Sequence, residues 1–316
     1  MSGKQKKVLV TGGGGFVGSH LCKALLEKGQ RVICMDNYYT GSEKNISHLL
    51  SDENFKVINH NIIDSFDLDV DEIYNLACPA SPPHYQKDPI YTLKTSVWGM
   101  LNVLENARRY GAKVLQASTS EVYGDPTLSP QSESYRGNVN TMGPRACYDE
   151  GKRVAETLCY DYNKSYDVEV KVVRIFNTYG PQMHPEDGRV VSNFILQALQ
   201  NKPITIYGDG SQTRAFCYVS DLVDGFIRFM DTEREVTGPL NLGNPREMTI
   251  KQLADAVIEL TNSASTVDYL PLPVDEPLQR CPDISFAENL LGWTPQVILE
   301  DGIKNTIEYF SNVSKS

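Results

Sequence analysis

Residues 11–18 read Thr-Gly-Gly-Gly-Gly-Phe-Val-Gly, between an apolar run and a stretch with helical spacing, and no other segment limits the fold so tightly. Upstream, Lys7-Val8-Leu9-Val10 has the continuous apolar character of a strand buried on both faces. Downstream, from Phe16 to Leu26, apolar residues recur at helical spacing. A strand that turns through glycines into a helix aims backbone N–H groups and the positive end of the helix dipole at one point, where a pyrophosphate is stabilised. Two registers satisfy the spacing, Gly13-x-Gly15-x-x-Gly18 and Gly12-x-x-Gly15-x-x-Gly18, and spacing alone does not choose between them.

The next strand candidate, Arg31-Val32-Ile33-Cys34-Met35, ends at Asp36, about 20 residues past the glycines, where a carboxylate can accept hydrogen bonds from ribose hydroxyls. A 2'-phosphate would be repelled there, and no arginine follows among Asn37, Tyr38 and Tyr39. The expected cofactor is therefore NAD rather than NADP. Strand and helix patterns then alternate: strands at 55–58, 72–76, 114–117 and 169–175, helices at 89–110 and 147–162. That rhythm predicts an α/β fold, a Rossmann-type doubly wound parallel sheet. Beyond about residue 180 the texture changes to prolines, a short strand at 204–207, and helices near 190–200, 249–261 and 300–310. We expect a Rossmann domain over 1–180 and a smaller C-terminal substrate-binding lobe over 181–316, with the chain free to cross between them.

The net charge of −10 leaves no basic excess to neutralise a nucleic acid. Seven scattered cysteines without a Cys-x-x-Cys or a zinc-spaced histidine pair point to reduced thiols and no structural metal. The polar residues 1–7 run straight into the first strand, which argues against a signal peptide, and no apolar run is long enough for a bilayer. The expectation is a cytoplasmic protein.

Tyr148 and Lys152 lie four residues apart, one turn along a single helix face. A free phenol with a pKa near ~10 is a poor base at neutral pH, and a neighbouring ammonium favours its ionised form. The pair is read as a proton-transfer device, with Lys152 lowering the pKa of Tyr148.

With the glycine turn, Asn75-Leu76-Ala77 and the Tyr148/Lys152 pair in place, the sequence resembles the extended short-chain dehydrogenase/reductase superfamily. Longer stretches narrow the likeness: Ala-Ser-Pro-Pro-His-Tyr at 80–85, Ser-Thr-Ser-Glu-Val-Tyr-Gly-Asp-Pro at 118–126, Gly-Pro-Arg-Ala-Cys-Tyr-Asp-Glu-Gly-Lys-Arg at 143–153, and further matches at 174–181, 187–191 and 210–216. Through most of its length the chain closely resembles UDP-glucuronate decarboxylases, also called UDP-xylose synthases.

That resemblance implies a redox-neutral reaction in which recycled NAD oxidises the sugar at C4, carbon dioxide is lost from the position beta to the new ketone, and reduction at C4 gives UDP-xylose. It implies Tyr148 as the base at the C4 hydroxyl, Lys152 also on the nicotinamide ribose, and Thr119 on the C4 oxygen. Ser120 and Glu121 form the decarboxylase-like pair, where related dehydratases carry two acids and simple epimerases usually neither. Glu121 either repels the substrate carboxylate or positions a water or proton for C5, and both roles stay open. Gly12, Gly15, Phe16, Val17, Gly18, Asp36, Asn37, Thr40, Gly41, Asn61 and Ala77 complete the implied cofactor site. Lys94, Asn177, Arg189, Tyr207, Gln212, Arg214 and Arg280 are the implied substrate contacts, with the guanidiniums of Arg189, Arg214 and Arg280 suited to the diphosphate. Arg280 is counted with the catalytic groups as well, although a guanidinium is a poor proton donor at neutral pH. The implied assembly is a homodimer through the 89–110 and 147–162 helices.

Three residues depart from the pattern. Asn61 replaces a usual aspartate at the adenine amine, Cys281 a common lysine, and Asp67 an aromatic near the substrate. The alternatives are a UDP-uronate 4-epimerase, which would keep the carboxylate, and a nucleotide-binding sensor without catalysis.

Overall fold

A computed structural model describes residues 5–272 and 279–313. Seven strands form one parallel sheet in the order β11-β6-β5-β4-β1-β2-β3. They are β1 (Lys7–Thr11), β2 (Arg31–Asp36), β3 (Phe55–Asn59), β4 (Glu72–Asn75), β5 (Lys113–Thr119), β6 (Val170–Ile175) and β11 (Leu240–Leu242). Val8, Leu9 and Val10 are fully buried, as a strand covered on both faces requires.

On one face, α1 (Phe16–Glu27) and α7 (Val219–Met230) cover Val8, Val10, Cys34, Tyr74 and Leu115. On the other, Leu9, Ile33, Ile73 and Val114 meet α4 (Met100–Tyr110) and α5 (Ala146–Tyr166). Short helices α2 (Pro82–Lys87) and α3 (Pro89–Lys94) precede α4, and a π-helical turn at Thr95–Gly99 joins α3 to it, so the single helix expected at 89–110 is nearly continuous.

The rest of the chain includes strands β7 (Thr178–Tyr179), β8 (Ile204–Tyr207), β9 (Thr213–Ala215), β10 (Cys217–Tyr218), β12 (Glu247–Thr249), β13 (Val267–Leu270) and β14 (Gln279–Arg280). Its helices are α6 (Val190–Leu199), α8 (Ile250–Thr261), α9 (Ser285–Leu291) and α10 (Leu299–Val313). Helices α6, α8 and α10 close a separate core around Phe194, Ile204, Leu253 and Ile303. Between α6 and α8 the chain returns to the sheet body through α7 and β11, so residue 180 marks a first crossing rather than a single partition.

The strand order reverses between β1 and β4, and an open α/β sheet offers its ligand crevice at the carboxyl ends beside such a point. Here a buried polar ladder ties three strands together. Thr11 Oγ1 donates to Asn75 Oδ1 at 2.6 Å, and Asn75 Nδ2 donates to Gln116 Oε1 at 2.7 Å. The glycine turn is thereby fixed relative to the strand that carries Thr119. Among the described residues no helix is long and apolar enough to cross a membrane, and all seven cysteines are free thiols.

Candidate active site

A cleft of about 680 Å³ runs along the carboxyl edge of the sheet. Every residue expected at the cofactor between Gly12 and Ala77 lines it, among them Asp36, Asn37, Thr40, Gly41 and Asn61. Gly12, Gly15 and Gly18 line the cleft and Gly13 does not, which favours the Gly12-x-x-Gly15-x-x-Gly18 register. Gly12 has φ +71°, and a Cβ there would lie 2.9 Å from the backbone of Ala77. At Gly18 a Cβ would sit 2.1 Å from the Gly12 carbonyl oxygen, and at Gly13 it would strike the Cys34 sulfur in the core.

Gly15 is the N-cap of α1 and brings no side chain to cap it, so the first-turn amides have no side-chain acceptor from that residue. Asp36 accepts from Gly14 N at 2.9 Å on one oxygen and from Tyr38 N at 2.8 Å on the other. Burial pushes its pKa up, and those amides work against the rise. Further along, Asn37 Nδ2 donates to the Tyr91 hydroxyl at 2.6 Å, which donates to Asn61 Oδ1 at 3.4 Å, while Tyr39 packs on the Tyr91 ring at 4.7 Å. Amides at a helix start, a carboxylate at the next strand end and an aromatic wall with amide groups are the donor and acceptor set that a dinucleotide needs.

Thr119, Ser120, Glu121, Tyr148 and Lys152 do not line this cleft. Strand β5 delivers Thr119, and a 3₁₀ turn over Ser120–Tyr123 places Ser120 and Glu121 immediately after it. Thr119 hydrogen-bonds Tyr148, and its Oγ1 accepts from Glu121 N at 3.2 Å. The Tyr85 ring stacks on Tyr148 with centroids 5.1 Å apart and planes 6° from parallel.

Burial pushes the Tyr148 phenol well above its ordinary value, helped by Cys78 and Glu121, with the Thr119 hydrogen bond and Arg189 opposing the rise. Lys152 Nζ lies 5.7 Å from the Tyr148 ring centroid and donates to the Ala117 carbonyl at 2.8 Å. Helical spacing put the two side chains on one face, but strand β5 captured the ammonium, whose own pKa is lowered by burial.

Glu121 sits between two guanidiniums. Both Nη atoms of Arg280 bind its two oxygens, the second at 2.9 Å, and Arg145 Nη2 reaches Oε2 at 2.8 Å. Against the opposing cost of burial, Arg280 and Arg145 hold the carboxyl down at about 2. Glu121 is therefore ionised throughout the neutral range.

The sequence pattern of the NAD dependent epimerase/dehydratase family matches residues 8–243. The UDP-glucuronic acid decarboxylase 1 of Danio rerio is 55% identical over 307 residues, covering 97% of this chain and 73% of that protein. The UDP-glucuronic acid decarboxylase 1 of Arabidopsis thaliana is 50% identical, covering 98% and 71%. The chain belongs to this decarboxylase family. Among solved structures, the UDP-glucuronic acid 4-epimerase of Bacillus cereus, in complex with UDP-glucuronic acid and NAD, is 30% identical with a TM-score of 0.88 and covers 97% of this chain and 99% of that one. The UDP-glucose 4-epimerase of Thermotoga maritima, with UDP-glucose, is 28% identical with a TM-score of 0.87, covering 98% and 99%.

The remaining residues nominated by the decarboxylase-like motifs are spread more widely. Arg189 lines the cleft and donates to the Ala80 carbonyl at 3.3 Å. Arg280 pairs in register with Arg214 between β14 and β9, yet its guanidinium is found on Glu121. Gln212 Nε2 donates to the Tyr207 carbonyl at 2.5 Å on the second lobe, and the Asn177 carbonyl accepts from Cys217 N. None of Asn177, Tyr207, Gln212 and Arg214 lines the main cleft. Lys94 is exposed, over the Trp98 ring at 5.1 Å.

Asp67 does not face the substrate cleft. It pairs with Arg109 at 2.9 Å and accepts from the Tyr110 hydroxyl at the C-terminal end of α4, near the edge of the sheet where β5 begins. Cys281 is buried, with its thiol on the Pro245 carbonyl. Reading the sequence residue by residue missed Tyr85, Tyr91, Arg145 and Asp149. Tyr85, Arg145 and Asp149 lie inside the long family-like stretches, and that was their available signal.

Proposed function

We propose that this chain converts UDP-glucuronate to UDP-xylose and carbon dioxide, with NAD held in the cleft and recycled within each turnover. One observation carries the reading: a Ser-Glu pair follows Thr119, the residue that hydrogen-bonds Tyr148, and its single acid is bound by Arg145 and Arg280. Gly12, Gly15 and Gly18 with the start of α1 would hold the pyrophosphate, Asp36 the adenosine ribose, and Asn61 with Tyr91 the adenine. When bound, NAD supplies reversible oxidation at the sugar C4, which makes the C5 carboxylate one that is lost from a position beta to a ketone.

The protein's own part is proton handling and charge placement. In its ionised form Tyr148 takes the C4 hydroxyl proton and later returns it, with Thr119 donating to the same oxygen as it becomes a carbonyl. Lys152, anchored on Ala117, holds the nicotinamide ribose. Glu121, whose charge Arg145 and Arg280 balance, either disfavours the uronate carboxylate by like charge or helps bring a proton to C5. Arg189 at the cleft wall is suited to the diphosphate.

The test is incubation with UDP-glucuronate and catalytic NAD, trapping carbon dioxide and identifying the sugar nucleotide. Carbon dioxide and UDP-xylose in equal amounts are expected. Retention of all carbon with a galacturonate product would replace this reading by a 4-epimerase, and inert binding would make the chain a sensor.

A further inference from the structure

Decarboxylation of a uronate at neutral pH consumes one proton per turnover: the carboxylate leaves as neutral carbon dioxide and C5 gains a hydrogen. The groups already placed do not provide it. Tyr148 returns to C4 the proton it took there, Glu121 is held ionised between Arg145 and Arg280, and guanidiniums release protons only far above neutrality. One carboxyl beside this cluster has no role so far. Asp149, next to Tyr148 on α5, is 6% exposed, and its Oδ1 is buried without a hydrogen-bond partner among the described residues. It lies one helical turn past Arg145, to whose carbonyl its backbone N–H bonds at 3.1 Å, and therefore on the face that carries the Arg145–Glu121 pair. The Tyr85 hydroxyl, on the ring that stacks against Tyr148, is a second buried polar atom without a partner among the described residues.

Resting on the reaction proposed above, we propose that Asp149 is a proton-holding residue that supplies the hydrogen gained at C5, acting by way of the Glu121 carboxylate. The C5–carboxylate bond breaks and its electron pair moves into the C4 ketone, giving an enolate as carbon dioxide departs. The Asp149 carboxyl proton passes onto the Glu121 carboxylate and that same proton passes on to C5, closing the C4 carbonyl again and leaving Glu121 ionised as before. The Asp149 carboxylate then recovers a proton from solvent.

The surroundings suit a proton store. Described charged and titratable groups that face Asp149 are Glu121 from the 3₁₀ turn, Arg280 from β14, Tyr85 from α2, and Arg145, Cys147 and Glu150 around the start of α5. Burial first, and then the Glu121 charge, push its carboxyl up to about 7 although both arginines pull it down. It therefore holds a proton near neutrality that Glu121 does not.

The experiment is single turnover of the NAD-loaded protein with UDP-glucuronate across a pH series, following carbon dioxide, UDP-xylose and the absorbance of reduced nicotinamide. In the wild type, appearance of UDP-xylose should slow as pH rises through about 7. Asp149→Asn should still release carbon dioxide, but form UDP-xylose about 10²-fold more slowly, the lower end of general-acid contributions, with a persistent reduced-nicotinamide signal and no such pH dependence. Asp149→Glu should recover part of the rate. Thermal unfolding checks the carboxyl without turnover: wild-type stability should fall as pH rises from the ordinary carboxyl range to about 7, a slope absent from Asp149→Asn. A wild-type profile for UDP-xylose that is flat over this range, or an Asn variant matching the wild type in rate and profile, overturns the assignment. A wild type that releases no carbon dioxide fails at the parent reaction and removes the Asp149 role with it.

Discussion

Arg280 grips both oxygens of the Glu121 carboxylate across 159 positions of sequence. The motif match left this guanidinium either to the UDP diphosphate or to orienting the sugar, and its grip on Glu121 favours the sugar end. Arg280→Ala should therefore weaken UDP-glucuronate binding or turnover much more than the binding of UDP, which lacks the sugar. Calorimetric titration with both ligands decides it: equal losses for the two would return Arg280 to the diphosphate.

The same pair predicts an acid-sensitive fold. Glu121 is held at about 2, below its unfolded value, so its contribution to stability is present above the ordinary carboxyl range and is lost as pH falls toward about 2. Removing one partner of a buried pair costs about 3–5 kcal/mol in general, and Arg145 remains here to soften the loss of Arg280. Denaturant unfolding of Arg280→Ala and Glu121→Gln at neutral and acid pH should show the difference from wild type shrinking as pH falls. A difference independent of pH would contradict the pairing.

Tyr148 begins from a protonated state in the free protein, because burial raises its pKa and Lys152 is tied to Ala117. Ultraviolet titration should show no ionisation of this phenol in the range where a free tyrosine loses its proton. Tyr148→Phe keeps the ring stacked on Tyr85 but removes the oxygen, so turnover should fall by roughly 10²-fold or more while NAD affinity changes little. Turnover near that of the wild type would take Tyr148 out of the mechanism.

What could be read without the fold was local. The glycine turn, Asp36 at the next strand end and the Thr119-Ser120-Glu121 stretch are set by neighbours in sequence, and all come to the carboxyl edge of the sheet. Spacing could not orient Lys152, since the carbonyl that captures it belongs to β5, 35 positions earlier. Nor could it show that Arg145 and Arg280 converge on Glu121, because that meeting depends on β14 pairing with β9 in the second lobe. The return of α7 and β11 to the sheet was hidden for a related reason. A strand of three residues at Leu240–Leu242 carries too little pattern to announce itself, and only its pairing with β6 identifies it.

Assembly offers a separate test. Ile90 on α3, Trp98 in the π-helical turn, and Val154 and Tyr160 on α5 are large apolar side chains left exposed, on the helices proposed to pair with a second copy. Light scattering at micromolar concentration should give a dimer, and charged substitutions at Ile90 and Tyr160 together should shift it toward monomer. A monomer in the unaltered protein would contradict the homodimer.

We propose that Asp36 decides the cofactor. Its two oxygens already hold Gly14 N and Tyr38 N, so the carboxylate shapes the glycine turn while facing the cleft where a ribose would lie. Asp36→Asn preserves size and removes the charge, leaving an NH2 group to oppose one of the two backbone donors. NAD affinity should fall about tenfold, in keeping with about 1.4 kcal/mol for a charge-assisted hydrogen bond, and preference over NADP should narrow because a 2'-phosphate no longer meets an anion. Binding of both cofactors followed by fluorescence quenching checks the two effects in one experiment. If Asp36→Asn binds NAD as the wild type does and still rejects NADP, the carboxylate serves the turn alone and selectivity must come from elsewhere in the cleft.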